Sequence, residues 1–357
     1  MSERPPTRKA GVMAASGLVA SLLIAVLTVM PSPYAIEQPG PTYDTLGSAD
    51  GAPLVEISGA STYDSTGELR LTTVTFSPAG SSPFTVGRVI EAFFSPLKTV
   101  VPEEVVYGTP TQQKQEADAS AQQWISSQES ATVSALEASG TVVPSTMTVA
   151  EVLDVSNAKG LLAAGDVLTA ANGKQLVSYT DLTRFLAALK PGDPVTMTVN
   201  RSGTSVDVAF DLIASDDGRA LMGISIDPTF DLPVQVTVGI DRVGGPSAGM
   251  MFALAIMDKL SPEDELHGAK VAGTGEISVD GQVGPIGGIR YKLAGAREAG
   301  AEFFLAPIEN CPDVVGHIPE GLSVYAVDDL ADAYAAIVAI GQQNADSLPT
   351  CSAANNK

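Results

Sequence analysis

The first pattern along the chain is an uninterrupted apolar run. Residues 11–30, GVMAASGLVASLLIAVLTVM, hold no charge over 20 positions. At the helical rise of about 1.5 Å per residue this predicts a helix that spans the roughly 30 Å hydrocarbon core of a bilayer. Residues 31–65, rich in Pro, Gly, Ser and Asp, predict an extended linker. ELRLTTVTF, Glu68 to Phe76, alternates as a strand does. Residues 111–139 lack Gly and Pro, and Ala117, Ala121, Trp124, Ile125, Ala131 and Leu136 fall near helical spacing, which predicts one long amphipathic helix of structural character. From Met147 to Val155 another strand is expected. Gly160 to Leu176 then carries a Gly-Asp turn, a strand and a tight hairpin turn at Asn172-Gly173. A helix, DLTRFLAALK, is followed by two strands, PVTMTVNRSG and TSVDVAFDL, joined at Arg201 to Thr204. SAGMMFALAIMDKL, Ser247 to Leu260, reads as a helix with Pro246 at its start. From Gly273 the pattern gives a strand, a turn at Asp280-Gly281, a loop with Gly287 and Gly288, and a helix carrying Lys292.

Composition and charge narrow this picture. The chain of 357 residues suits two globular units plus a tether, and 45% hydrophobic residues can fill their cores. A net charge of −21 argues against a nucleic-acid partner, since phosphate recognition needs a basic face. Arg4, Arg8 and Lys9 precede the apolar run, so the positive-inside bias puts the N-terminus in the cytoplasm and the remainder outside. A cleaved signal peptide is the competing reading. The run exceeds the ~7–15 residues usual for one and no clean A-x-A site follows, which favours a retained anchor. Cys311 and Cys351 are the two cysteines, and an oxidising exterior would allow them to pair and pin the tail; two free buried thiols are the alternative. His267 and His317 stand alone, without ligand spacing for a metal.

The chemistry concentrates in two stretches. In GGPSAGMM, Gly244 to Met251, Ser247 falls at a helix start, where backbone N–H groups and the helix dipole favour an oxyanion. Gly245 and Ala248 flank it as supporting positions. Capping alone would account for a serine there. The second stretch changes that balance. Lys292 is surrounded by Leu293, Ala294, Ala296 and Ala299. Losing solvation, it could be neutral near pH 7 against a reference pKa near 10.4, and a neutral lysine can take the serine proton. That is nucleophilic catalysis by a Ser/Lys pair.

Three resemblances follow from these motifs. GPSAG at Gly245 to Gly249, TGEISVDGQVGPIGGIRYK at Thr274 to Lys292, APIEN and HIPEGLSVYAVDDLADAYAAI together resemble the Lon family of serine proteases over about residues 233 to 341. The resemblance implies Ser247 as nucleophile, Lys292 as general base and Thr274 as the hydroxyl bonded to the lysine, with Arg290 a separate cation. It departs from the ATP-dependent members in having Gly244 where they carry an acid, with Asp241 displaced, and in lacking any G-x-x-x-x-G-K-[ST] motif, so no ATP is implied. The order of elements in residues 145–213, with its G-D-x-[LIV]-x-x-x-[ND]-G phrase, resembles the PDZ domains of bacterial extracytoplasmic proteases. Anchor, PDZ module, Lon-like domain and the PGPTYDTLG stretch together resemble the membrane-anchored, PDZ-containing Lon-like proteases of Gram-positive bacteria.

The resulting expectation is an α/β (α+β) Lon-type protease domain with a small β-rich PDZ domain, preceded by one transmembrane helix. Its divisions are a cytoplasmic N-terminus, 1–10; the helix, 11–30; a linker, 31–65; strands and a helix, 66–142, expected to be the first part of the protease domain; the PDZ-like domain, 143–213; the protease domain, 214–345; and a tail, 346–357. The expected protein is a single-pass, extracytoplasmic serine endopeptidase without cofactor or metal. Its partners are polypeptide substrates through the PDZ domain and the membrane through residues 11–30, not nucleic acid or ATP, and the resemblance adds a homo-oligomeric ring, a hexamer by analogy. An HtrA-like triad fails for want of a placed histidine, and S-N-A-K at Ser156 to Lys159 has no accompanying S-D-N or K-T-G. The remaining alternative is a catalytically silent Lon-like fold serving as a tethered peptide-binding scaffold.

Overall fold

The computed structural model describes residues 8–49, 51–77, 85–108, 110–215, 218–240 and 244–351. Arg8–Val29 forms a single helix of 22 residues whose apolar side chains are exposed along its length. Gly11–Val29 is long and apolar enough to cross a membrane, a test that a signal sequence near an N-terminus also passes.

The strand that follows overturns the linker expectation. Tyr34–Asp44, within the stretch expected to be a tether, lies inside a six-stranded sheet. Its order is Ser323–Val327, Phe303–Pro307, Lys270–Gly273, Glu68–Ser77, Tyr34–Asp44 and Thr99–Pro102. The first four run parallel to one another and the last two pairings are antiparallel. Pro39, Gly40 and Pro41 hid this strand from a pattern reading; they sit where the register shifts between Pro39 and Thr42, an irregularity that tolerates prolines. Val55–Ser58, also in the expected linker, pairs with Gln235–Val238.

Alternation along the strands sorts the core into two layers. Leu69, Leu71, Val271, Leu305, Tyr325 and Val327 pack with the Gly249–Leu260 helix, while Ala272, Phe304, Ala306, Val324 and Ala326 pack with Ile289 and Leu293 of the Ile289–Glu298 helix. Gly249 through Asp258 are all buried, so this helix is enclosed by the sheet, the Leu330–Gly341 helix and the long Pro110–Ala138 helix. Trp124 of the long helix meets Phe252 edge-on, ring centroids 5.3 Å apart. The long helix is not amphipathic throughout. Ala117, Ala121 and Ile125 face solvent, whereas residues 131–136 are buried on every side.

A second core belongs to a separate five-stranded path, with the order Thr204–Asp211, Pro194–Arg201, Val167–Ala171, Ser145–Val152, Ile224–Phe230. Its hairpins turn at Asn172-Gly173 and Ser202-Gly203, all four residues having positive φ, as tight two-residue turns require. The helix beside it, Tyr179–Ala187, opens on a capping box at Ser178 and Asp181. The edge strand Ile224–Phe230 extends this sheet past residue 213, where the sequence pattern suggested that the module ends. Cys311 and Cys351 are joined as a disulfide, Cα atoms 4.8 Å apart.

Candidate active site

Ser247 does not occupy the first turn of the helix it precedes. The helix starts at Gly249 with Ala248 as its cap, two residues later than the sequence suggested. The reason lies in its carbonyl. That oxygen accepts from the Thr274 hydroxyl at 2.8 Å and from the Gly275 N–H at 2.9 Å, and so makes no helical bond. The long helix holds the same loop from the other side: Gly245 N–H donates to the Ser120 carbonyl, and the Ser127 hydroxyl donates to the Pro246 carbonyl, both at 3.2 Å. Gly245 has φ 78°, a conformation that favours glycine. At Gly249 the requirement is space, because a Cβ would lie 2.6 Å from Ile277 Cγ2 and 2.7 Å from Ser127 Oγ.

The Ile289–Glu298 helix brings Lys292 to this loop. Its Nζ is 2.9 Å from Ser247 Oγ and 2.8 Å from Thr274 Oγ1. Thr274 is fully buried and Lys292 nearly so, while Ser247 is part-exposed. Because the Thr274 hydrogen is already given to the Ser247 carbonyl, its oxygen is left as an acceptor for the lysine. Burial lowers the Lys292 ammonium from 10.5 to about 8, opposed by the negative charge of Glu276. Burial in turn raises the Glu276 carboxyl, opposed by Lys292. The N–H groups of Ser247 and Ala248 meet no acceptor among the described residues, so they are available to a developing oxyanion.

The other sequence candidates sort as follows. Arg290 points away from the pair: its guanidinium donates to Thr99 Oγ1 at 2.6 Å and lies over the Tyr291 ring, 4.6 Å from the centroid. Asp241 lies outside the described residues. His267 donates its backbone N–H to Asp264 and the His317 ring lies 3.1 Å from the Asp313 carbonyl, and no group of three metal-ligating side chains occurs among the described residues. Sequence reasoning missed Glu276 and the polar face of the long helix. A groove of about 500 Å³ beside Pro246 is lined by Gln122, Gln123, Ser126, Ser127, Glu276 and Ile277, among others. Glu276 was legible as the third residue of TGE, two positions after Thr274; the role of the helix serines required the fold.

Known proteins resemble this chain in two regions. A family model described as the Lon protease (S16) C-terminal proteolytic domain matches residues 202–339. The chain carries a Lon-type proteolytic domain. That domain is of the serine peptidase class. A PDZ domain model matches residues 129–212, the region of the second sheet. Lon protease of Campylobacter concisus is 34% identical over 121 residues, covering 33% of this chain and 15% of that protein. Lon protease of Lachnoclostridium phytofermentans is 38% identical over 100 residues, covering 27% and 12%. These matching segments thus span a small part of their relatives. The PDZ domain of an SdrC-like protein from Listeria monocytogenes is 25% identical, covering 22% of this chain and 85% of that one, with a TM-score of 0.22.

Proposed function

We propose that the protein is a membrane-anchored, ATP-independent endopeptidase in which Ser247 is the nucleophile and Lys292 the general base. The observation that carries this reading is the buried Lys292 Nζ within 2.9 Å of Ser247 Oγ and 2.8 Å of Thr274 Oγ1. With Lys292 neutral, one N–H stays on Thr274 and the nitrogen lone pair takes the Ser247 proton. The serine oxygen attacks the peptide carbonyl, and the N–H groups of Ser247 and Ala248 hold the oxyanion. Lys292 then returns its proton to the leaving amine, and water hydrolyses the acyl enzyme by the same route.

The substrates are flexible segments of exported or membrane proteins, a reading supported by the open groove of about 500 Å³ at Pro246 and by a sequence without a G-x-x-x-x-G-K-[ST] motif. The PDZ domain presents them by adding a peptide to a sheet edge. Glu68–Ser77 pairs with Lys270–Gly273 across the intervening module, which favours a protease domain interrupted by the PDZ domain. The helix Gly11–Val29 anchors the chain, and the Cys311–Cys351 bridge suits an oxidising exterior. Ring assembly belongs to this reading too, and the mass of the detergent-solubilised protein tests it.

The deciding experiment incubates the full chain in detergent with casein and no ATP, beside Ser247→Ala and Lys292→Ala. Cleavage by the parent and by neither variant is expected. Equal cleavage by a variant refutes the assignment. An inert parent that still binds peptides favours the scaffold.

A further inference from the structure

The helix Val86–Phe93 has two apolar faces, and the fold uses one. Val89 and Ala92 are buried, with Ala92 packed among Ile36 and Val100 at the edge of the six-stranded sheet. Ile90, Phe93, Phe94 and Leu97 point outward at 46%, 75%, 85% and 45% exposure. Their spacing of three, four and seven puts them on one stripe of the helix and the turn beyond it. Two adjacent phenylalanines this exposed are uncommon on a surface that meets only water.

What covers them follows from where the helix begins. The Val86 N–H donates to the carbonyl of Met30 at 3.0 Å, and Pro31 pairs with Thr85. A Cβ on Gly87 would lie 3.4 Å from Thr28 Cα. The outward apolar stripe therefore starts against the last turn of Gly11–Val29, the one helix among the described residues long and apolar enough to cross a membrane. Tyr34, a residue type favoured where hydrocarbon meets water, is 41% exposed just beyond that turn. Charge does not oppose burial of the stripe: the acid in residues 85–98 is Glu91, bridged by Lys98 at 2.8 Å.

We propose that Val86–Phe93 and the turn to Leu97 lie in the interface of the bilayer that Gly11–Val29 crosses, with Phe93 and Phe94 among the acyl chains. This rests on the anchor reading above. The helix packs on Ile36 of the Tyr34–Asp44 strand, so its docking fixes the edge of the protease sheet against the lipid. The domain is then held at two points and has a set height and orientation over the membrane, instead of swinging from one tether. Substrate segments close to the bilayer surface are favoured accordingly.

The test uses the full chain in phosphatidylcholine and phosphatidylglycerol nanodiscs made with or without brominated acyl chains, which quench tryptophan on contact. Phe94→Trp and Leu22→Trp are compared with the parent, whose Trp124 lies in the protease core against Phe252. Added emission from Phe94→Trp is expected to fall by about half or more with bromines near the headgroup, and that from Leu22→Trp with bromines near the methyl end. Parent emission should not change. Quenching of Leu22→Trp without any quenching of Phe94→Trp overturns the proposal and leaves the anchor intact. Quenching of neither overturns both.

Discussion

Replacing Lys292 by Met should stabilise the folded protein at neutral pH and destabilise it at high pH. In the fold the ammonium is lowered to about 8, against 10.5 in the unfolded chain. Below pH 8 both states are protonated, and the parent carries the full cost of a buried charge. Between about 8 and 10.5 the unfolded chain binds a proton that the folded one does not, so parent stability rises with pH. Above 10.5 both are neutral and the cost is gone. At about 1.4 kcal/mol per pH unit, the span amounts to about 3 kcal/mol. Met removes that cost at every pH but also loses the bonds to Ser247 and Thr274, each contributing about 1 kcal/mol. The variant should therefore be more stable than the parent by about 1 kcal/mol at pH 6–7 and less stable by about 2 kcal/mol near pH 10.5. Urea unfolding followed by Trp124, which sits on Phe252 of the helix that follows Ser247, reads this domain directly. A stability difference that stays constant from pH 6 to 10.5 would refute the assignment of a desolvated lysine.

Three further expectations follow from the same site and its frame. Glu276→Gln removes the charge that favours the Lys292 ammonium, so the acid limb of kcat/KM for casein-derived peptides should move to lower pH; a limb that stays or moves up counts against the coupling. Thr274→Val removes both the acceptor for Lys292 and the donor to the Ser247 carbonyl, and kcat should fall roughly 10- to 100-fold with KM little changed. Thr274→Ser should recover most of that loss, which a purely structural effect of Val would not explain. Cys351→Ser opens a bridge across 40 residues and should cost about 2–4 kcal/mol in denaturant titrations, with casein cleavage retained under native conditions.

Much of this protein could be read without coordinates because its signals are local. The apolar run at 11–30, the hairpin glycines at 173 and 203, the helix around Lys292 and the paired motifs at Ser247 and Thr274 each depend on a few neighbouring residues whose propensities agree. Four things required the tertiary structure. Tyr34–Asp44 is a strand because Glu68–Ser77 and Thr99–Pro102 pair with it, a long-range stabilisation that outweighs its Pro and Gly content. The start of the Gly249 helix is set by Thr274 and Gly275 taking the Ser247 carbonyl, so no cap rule could place it. Trp124 and Ile125 are equivalent by pattern, yet one packs on Phe252 and the other faces solvent, since only the neighbouring helix distinguishes them. Finally, Ser247 and Lys292 stand 45 residues apart, and the sequence names both without their distance. Burial lowers the lysine toward neutrality and packing aims it at the hydroxyl; both belong to the folded chain, because desolvation and direction come from neighbours that are remote in sequence.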